Sequence, residues 1–130
     1  MRLILMAALL AAAPAWADGV TGIWKTEPGD TGGYLHVRMG PCSHDNALTC
    51  GVIQGAFDKD GAAVSDYENA GKPIVWNMQN AGDGKYRKGK IWAPDRDKTY
   101  NSKMDHAGSS LKVQGCVLGI CRGQTWSKLQ

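Results

Sequence analysis

Catalytic signatures are what this sequence most plainly lacks. It has no Gly-x-Ser-x-Gly, no His-Glu-x-x-His and no phosphate-cradling glycine loop, so the usual hydrolase and nucleotide chemistries have no local footing. It has no Cys-x-x-Cys either, which excludes a thioredoxin-type redox pair and a tight zinc knuckle. Apolar residues nowhere recur at helical spacing, which argues against a helical bundle. Phenylalanine is nearly missing, with Phe57 alone against five Trp and four Tyr. Charge is low and dispersed, formally +3. The densest basic cluster, Lys85, Arg87, Lys88 and Lys90, divides between the two faces of a strand, so no patch for nucleic acid forms. The longest apolar run, Leu3–Ala13, has eleven residues, far short of the roughly 20 that span a bilayer. No transmembrane segment is expected.

What that run does fit is a leader. Arg2 precedes it and Ala15-Trp16-Ala17 follows, placing small residues where a signal peptidase reads them. Residues 1–17 are therefore expected to be a signal peptide, and residues 18–130 a single domain in the periplasm or outside the cell. No Cys closely follows the apolar run, so a lipid anchor is not expected. The four Cys of such an exported chain imply two disulfides, with three possible pairings. Spacing favours Cys42–Cys50 and Cys116–Cys121, since hairpins would set each pair face to face. Cys42, His44 and Cys50 could instead hold a metal, but an oxidising compartment favours the paired state. Neither a metal nor another cofactor is expected.

Eight short runs carry strand character: residues 20–26, 34–39, 50–57, 74–79, 85–92, 99–105, 111–117 and 121–129. Between them lie turn signals such as Glu27-Pro28-Gly29-Asp30, Gly40-Pro41, Asn80-Ala81-Gly82-Asp83-Gly84 and Ala93-Pro94-Asp95. The last four runs form a meander. Tyr34–Met39 alternates, with Leu35, Val37 and Met39 on one face and Tyr34, His36 and Arg38 on the other; Ile74, Trp76 and Met78 alternate in the same way. These features predict an all-β domain, a single small eight-stranded antiparallel up-and-down barrel, because sequential turns suit a barrel and closure removes unpaired edges. A barrel of eight strands is either filled by side chains or holds one small ligand.

The polar residues offer little reactive chemistry. His36 falls mid-strand on the solvent face, His44 lies inside a disulfide loop, and His106 follows Asp105 at a turn, where sequence neighbours point to opposite faces. Asp58-Lys59-Asp60-Gly61 opens like a calcium loop. Positions six and twelve, however, are Ala63 and Asn69 rather than Gly and Glu, so ordinary turn chemistry is the reading. Asp95 and Asp97 belong to a Pro-led turn and are expected to be solvated. The chain is not expected to be an enzyme.

Gly22-Ile23-Trp24 near the mature start resembles the Gly-x-Trp opening of lipocalin-like barrels. Four further blocks, Cys50-Gly51-Val52-Ile53, Asp66 through Ile74, Gly89-Lys90-Ile91-Trp92-Ala93-Pro94 through Lys98-Thr99-Tyr100, and Leu111 through Cys116 continuing to Thr125-Trp126, resemble domain-of-unknown-function family 2147, small exported bacterial proteins. The resemblance spans essentially the whole mature chain and implies a lipocalin-like barrel in the periplasm with no established reaction. It also implies that Trp24 closes the base of the barrel under a basic side chain from the chain's end, Arg122 or Lys128. Trp76 departs from the family's pattern, where a small residue is usual, and is expected to narrow any cavity it faces.

The function expected is non-enzymatic binding of a small apolar or amphipathic ligand. Its wall is expected from Trp76, Met78, Trp92, Tyr100 and Met104, whose faces converge if the meander closes, and Met suits broad, weak selectivity. A carboxylate head would meet Lys88 or Lys90 at the mouth. The alternative is a ligand-free interaction or envelope-associated module whose barrel is plugged by Trp76. No nucleic-acid partner is expected, and the sequence points to no particular protein partner.

Overall fold

Alternating side chains and short turns force each strand to pair with its neighbour in sequence, and the last strand then returns to the first. The structure, a computed structural model, describes residues 19–130; the predicted leader lies outside the described residues. Eight strands follow in order: β1 (Gly22–Lys25), β2 (Tyr34–Pro41), β3 (Thr49–Phe57), β4 (Pro73–Gly82), β5 (Lys85–Ala93), β6 (Lys98–Ala107), β7 (Ser110–Val117) and β8 (Ile120–Lys128). They form one closed antiparallel barrel whose strand order is the sequence order, as the turn spacing predicts. Among the described residues no helix is long and apolar enough to cross a membrane. Both expected disulfides are present, Cys42–Cys50 and Cys116–Cys121.

One end, the base, gathers the start of β1, the end of β8 and the β2–β3, β4–β5 and β6–β7 turns. The other, the mouth, carries the β5–β6 and β7–β8 turns and the long β3–β4 connection. Closure between β1 and β8 is brief, with Trp24 opposite Lys128 and Lys25 opposite Ser127. The C-terminal residues extend it: Ile23 N donates to Gln130 O at 2.8 Å, and Leu129 N donates to Ile23 O at 2.8 Å. Toward the mouth the strands part, and the Glu27 carboxylate accepts from Thr125 N at 2.8 Å in place of a strand partner.

Register shifts interrupt the β2–β3, β3–β4, β4–β5 and β5–β6 ladders, and two of them, which the sequence pattern does not announce, decide which way β4 and β5 side chains point. Between β3 and β4, Gly51 opposes Val75 while Thr49 opposes Met78, so β4 carries an extra residue. Between β5 and β6, Tyr86 opposes Met104 while Gly89 opposes Ser102, so β5 does too. Asn77 and Lys88 sit in these bulges with φ of 59° and 64°, a left-handed backbone that non-glycine residues rarely adopt. β4 and β5 remain in step with one another, Trp76 opposite Lys90 and Gln79 opposite Arg87. The two irregularities therefore match. Arg87 braces the second, donating to the carbonyls of Tyr86 and Met104 at 2.9 Å each and pairing with Asp105 at 3.0 Å.

The bulges turn Val75 and Met78 inward together, and likewise Tyr86 and Gly89, all buried. Val75, Met78 and Tyr86 join Val37, Met39, Ile53, Met104, Leu111, Val113 and Trp126 in one core cluster. Methionine fills it tightly. A β-carbon on Gly51 would stand 2.6 Å from Met39 Sδ, and one on Gly89 2.6 Å from Met78 Sδ, so both glycines are sites of close approach. Each fully buried Met contributes roughly 1.5–3 kcal/mol through apolar burial.

Candidate binding groove

At the base, Trp24 is wholly buried. Its Nε1 donates to Val20 O at 2.9 Å, and His106 meets the ring edge-on at a centroid distance of 5.9 Å. Lys128 Nζ lies 5.7 Å from the ring centroid and donates to Gly19 O at 2.9 Å. Of the two basic residues expected there, Lys128 is in place. Arg122 is not: it opposes Gly115 toward the mouth end of β8, six residues from Lys128 along the strand, too far to reach Trp24.

The expected ligand wall does not assemble as one surface. Met78 and Met104 point inward and are fully buried within the core. Tyr100, half-buried, shares their side of β6 nearer the mouth, where its ring lies over Gly115. A hydrogen bond with Tyr100 raises the Arg96 guanidinium above its ordinary range, helped by the charge of Asp95. Trp76 and Trp92 face outward instead. Counting straight through β4 puts Trp76 beside Met78, but the Asn77 bulge reverses that parity. The Lys88 bulge does the same for β5: Ile91 opposes Val75 on the inner face, so Trp92 falls on the other face, where it is half-buried and packed against the core cluster. There its Nε1 donates to Asp97 at 2.9 Å, with Lys72 Nζ 5.7 Å from the ring centroid. Nor do Lys88 and Lys90 stand at the mouth. Lys88 occupies its bulge and Lys90 binds Asn101 at 2.6 Å on the outer surface.

Trp76 is thus not an internal plug. It lines a groove of about 780 Å³ together with Arg38, Pro41, Ser43, His44, Val52, Pro73 and Asn77. Arg38 and Val52 are register partners, both exposed, so the groove opens on the outer face of β2, β3 and β4 beside the Cys42–Cys50 loop. Met78, Trp92, Tyr100 and Met104 do not line it. The apolar wall is Trp76, Val52 and the two prolines; the polar groups are Arg38, His44 and Asn77. Arg38 has no carboxylate partner among the described residues, and with the Gln54 amide oxygen turned toward it, that oxygen accepts from Nε at 3.0 Å. His44 Nε2 and Asn77 Oδ1 are 2.8 Å apart. The outward position of Arg38 is readable from the alternation of β2. Its meeting with Trp76 is not, because it depends on the register across three strands.

Next to the groove on β2 and β3, His36 and Phe57 rings lie 4.1 Å apart and Tyr34 stacks on Phe57 at 5.4 Å, with Lys25 Nζ 4.3 Å from the Tyr34 ring centroid. Partial burial, and then the nearby Lys25 charge, lower the His36 pKa. On the β3–β4 connection, Asp58 Oδ1 accepts from the amides of Asp60 and Ala62 at 2.9 and 3.0 Å. That is the turn chemistry expected of Asp58-Lys59-Asp60-Gly61.

No curated protein matches this chain. The model for a family of uncharacterized proteins conserved in bacteria, DUF2147, matches residues 22–128. The chain belongs to that family. This DUF2147 member is also similar in structure to HP1028 from the human pathogen Helicobacter pylori, a protein of the lipocalin family. Their TM-score is 0.66 over 86% of this chain and 84% of that one, at 16% identity. A likeness at that identity establishes the fold: this DUF2147 chain is a lipocalin-like barrel.

Proposed function

We propose that the chain is an exported, periplasmic, non-enzymatic binding protein that holds a small amphipathic molecule in the outer β2–β4 groove, not in the barrel interior. The observation that carries this reading is the contrast between the two surfaces. The inner one is occupied by its own methionines and tryptophans, with Met78 and Met104 at 0% exposure. The outer one is an apolar-walled groove with a cation, Arg38, that lacks a carboxylate partner among the described residues. A few convergent polar groups beside apolar walls are what small-molecule sites present. Trp76 offers a ring face, and Arg38 a planar fork suited to a carboxylate. The leader pattern and the two disulfides support export.

A second reading, a ligand-free interaction module, draws on the β7–β8 turn. There Val117, Leu118 and Ile120 are 49%, 97% and 67% exposed, an apolar tip of the kind that marks contact surfaces. Titration with a medium-chain fatty acid, following Trp emission, separates the two. Saturable quenching that is lost in both Trp76→Ala and Arg38→Ala, with the melting temperature kept, supports the groove. No saturable change up to about millimolar, worth only some 4 kcal/mol of binding, ends it in favour of the second reading.

A further inference from the structure

The Cys42–Cys50 hairpin carries a third metal-type donor. Ligand atoms of Cys42, His44 and Cys50 all lie within 4.8 Å of one another. In the described structure the two sulfurs are bonded to each other, and a disulfide sulfur is a poor ligand because the thiolate is the binding form. Three observations show what opening that bond leaves. First, the backbone holds both cysteines without it. Cys42 N donates to Leu48 O at 2.9 Å, and Gly40 opposite Cys50 and Pro41 opposite Thr49 continue the ladder. The loop between is tied by Asp45, whose carboxylate accepts from Ala47 N at 2.9 Å. Second, His44 is oriented from outside. With Asn77 Oδ1 accepting from Nε2, the neutral ring keeps its lone pair on Nδ1, the arrangement in which a neighbouring group fixes the tautomer of a ligating histidine. Third, the two cysteines are unequally exposed. Cys42 is buried at 2% exposure, whereas Cys50 is half-buried and lines the outer groove, which makes Cys50 the side open to a reductant.

We propose that reduction of Cys42–Cys50 creates a two-thiolate, one-imidazole site for a thiophilic divalent or monovalent d-block cation, with Cys42, Cys50 and His44 as ligands and Asn77 as the positioning residue. The reductant is a dithiol. Its thiolate attacks Cys50 Sγ, the Cys42–Cys50 bond breaks and its electron pair leaves on Cys42 Sγ. The second reductant sulfur then displaces Cys50 as a thiolate and closes the reductant's own disulfide. Two electrons pass to the protein, and the two protons of the dithiol go to solvent when the cation takes the thiolates. Oxidation reverses the step and expels the cation, so the hairpin alternates between a staple and a metal site. This inference stands on the hairpin and on Asn77 of β4, and does not depend on what the groove binds.

The test uses the mature chain, reduced with a phosphine under argon, freed of reductant and titrated with Co²⁺. The expected result is a single equivalent bound with thiolate-to-metal charge-transfer absorption, none in the oxidised protein, and a far-UV spectrum that remains that of a barrel. His44→Ala, a change at an exposed loop position, weakens binding by more than about tenfold, and Asn77→Gly, which keeps the left-handed backbone, by about tenfold, as loss of an orienting partner does. A Cys116→Ser/Cys121→Ser variant retains the band. Absence of the band in the reduced protein overturns the proposal. So does affinity unchanged in His44→Ala, a band that follows Cys116 and Cys121 instead, or loss of the barrel on reduction.

Discussion

The sulfur of Met78 occupies the space that any side chain on Gly89 would need, 2.6 Å from the position of its β-carbon. The two residues belong to the matched bulges of β4 and β5, so the contact records how those strands fit. Adding a methyl group there forces Met78 from its position in a core where it is fully buried. Gly89→Ala is expected to destabilise by about 1–3 kcal/mol, the usual cost of overpacking. Urea unfolding measures it. In a Met78→Ala background the same substitution costs less, because neighbours that share a space are not additive, but part of the cost stays, since the Trp76 carbonyl oxygen lies 2.8 Å from the same β-carbon position. Equal costs in the two backgrounds would show that the contact is not the cause.

Arg87 bridges the carbonyls of Tyr86 and Met104 and the carboxylate of Asp105, across the place where β5 and β6 fall out of register. Arg87→Ala is expected to cost about 1–2 kcal/mol, since half-buried carbonyls lose a charged donor. Arg87→Lys does not restore it, because an ammonium cannot reproduce the planar fork. Full recovery with lysine in chemical denaturation contradicts this account.

His36 makes stability depend on pH. Its folded pKa lies below the ordinary 6.5, so the unfolded chain binds that proton more readily. The contribution is fully present above 6.5 and is lost as the pH falls through the folded value. The urea midpoint is therefore expected to fall between about pH 8 and about pH 5, by less in His36→Gln than in the parent. Identical pH profiles for the two proteins count against it.

Trp24→Ala is expected to cost roughly 3–5 kcal/mol, as truncation of a buried aromatic does, a large share of a total stability of about 5–15 kcal/mol. Lys128→Met keeps the apolar stem but removes the cation above the ring, costing about 0.5–2 kcal/mol. Arg122→Met, at the other end of β8, leaves the melting temperature as it was. A larger effect from Arg122 than from Lys128 reverses the assignment of the base.

The strands, their order and both disulfides were legible because each rests on local signals: alternation, turn residues and cysteines separated by one hairpin. The candidate site was not. Leu35, Val37 and Met39 alternate without interruption, and their face reads true. Ile74, Trp76 and Met78 alternate just as well on paper, yet Asn77 takes a left-handed backbone and sends Trp76 outward. Glycine would have advertised that conformation; asparagine at 77 is a weaker signal of it, and lysine at 88 is none. Lys88 repeats the effect in β5 and turns Trp92, because a shift of one residue inverts every side chain beyond it.

The brief meeting of β1 and β8 bears on the order in which the chain folds. Six of the eight ladders join strands separated by short turns, and a seventh spans the β3–β4 connection. The β1–β8 ladder alone brings together residues about a hundred positions apart, such as Trp24 and Lys128. Lengthening a closed loop from about 10 to about 100 residues adds roughly 2 kcal/mol of entropic cost, set here against two register pairs and the tail bonds to Ile23. The hairpins can therefore assemble as an open curved sheet, and the join between β1 and β8 is expected to form after them. Removing Leu129 and Gln130 would loosen that join while leaving every hairpin intact, giving a protein that keeps its strands and unfolds faster.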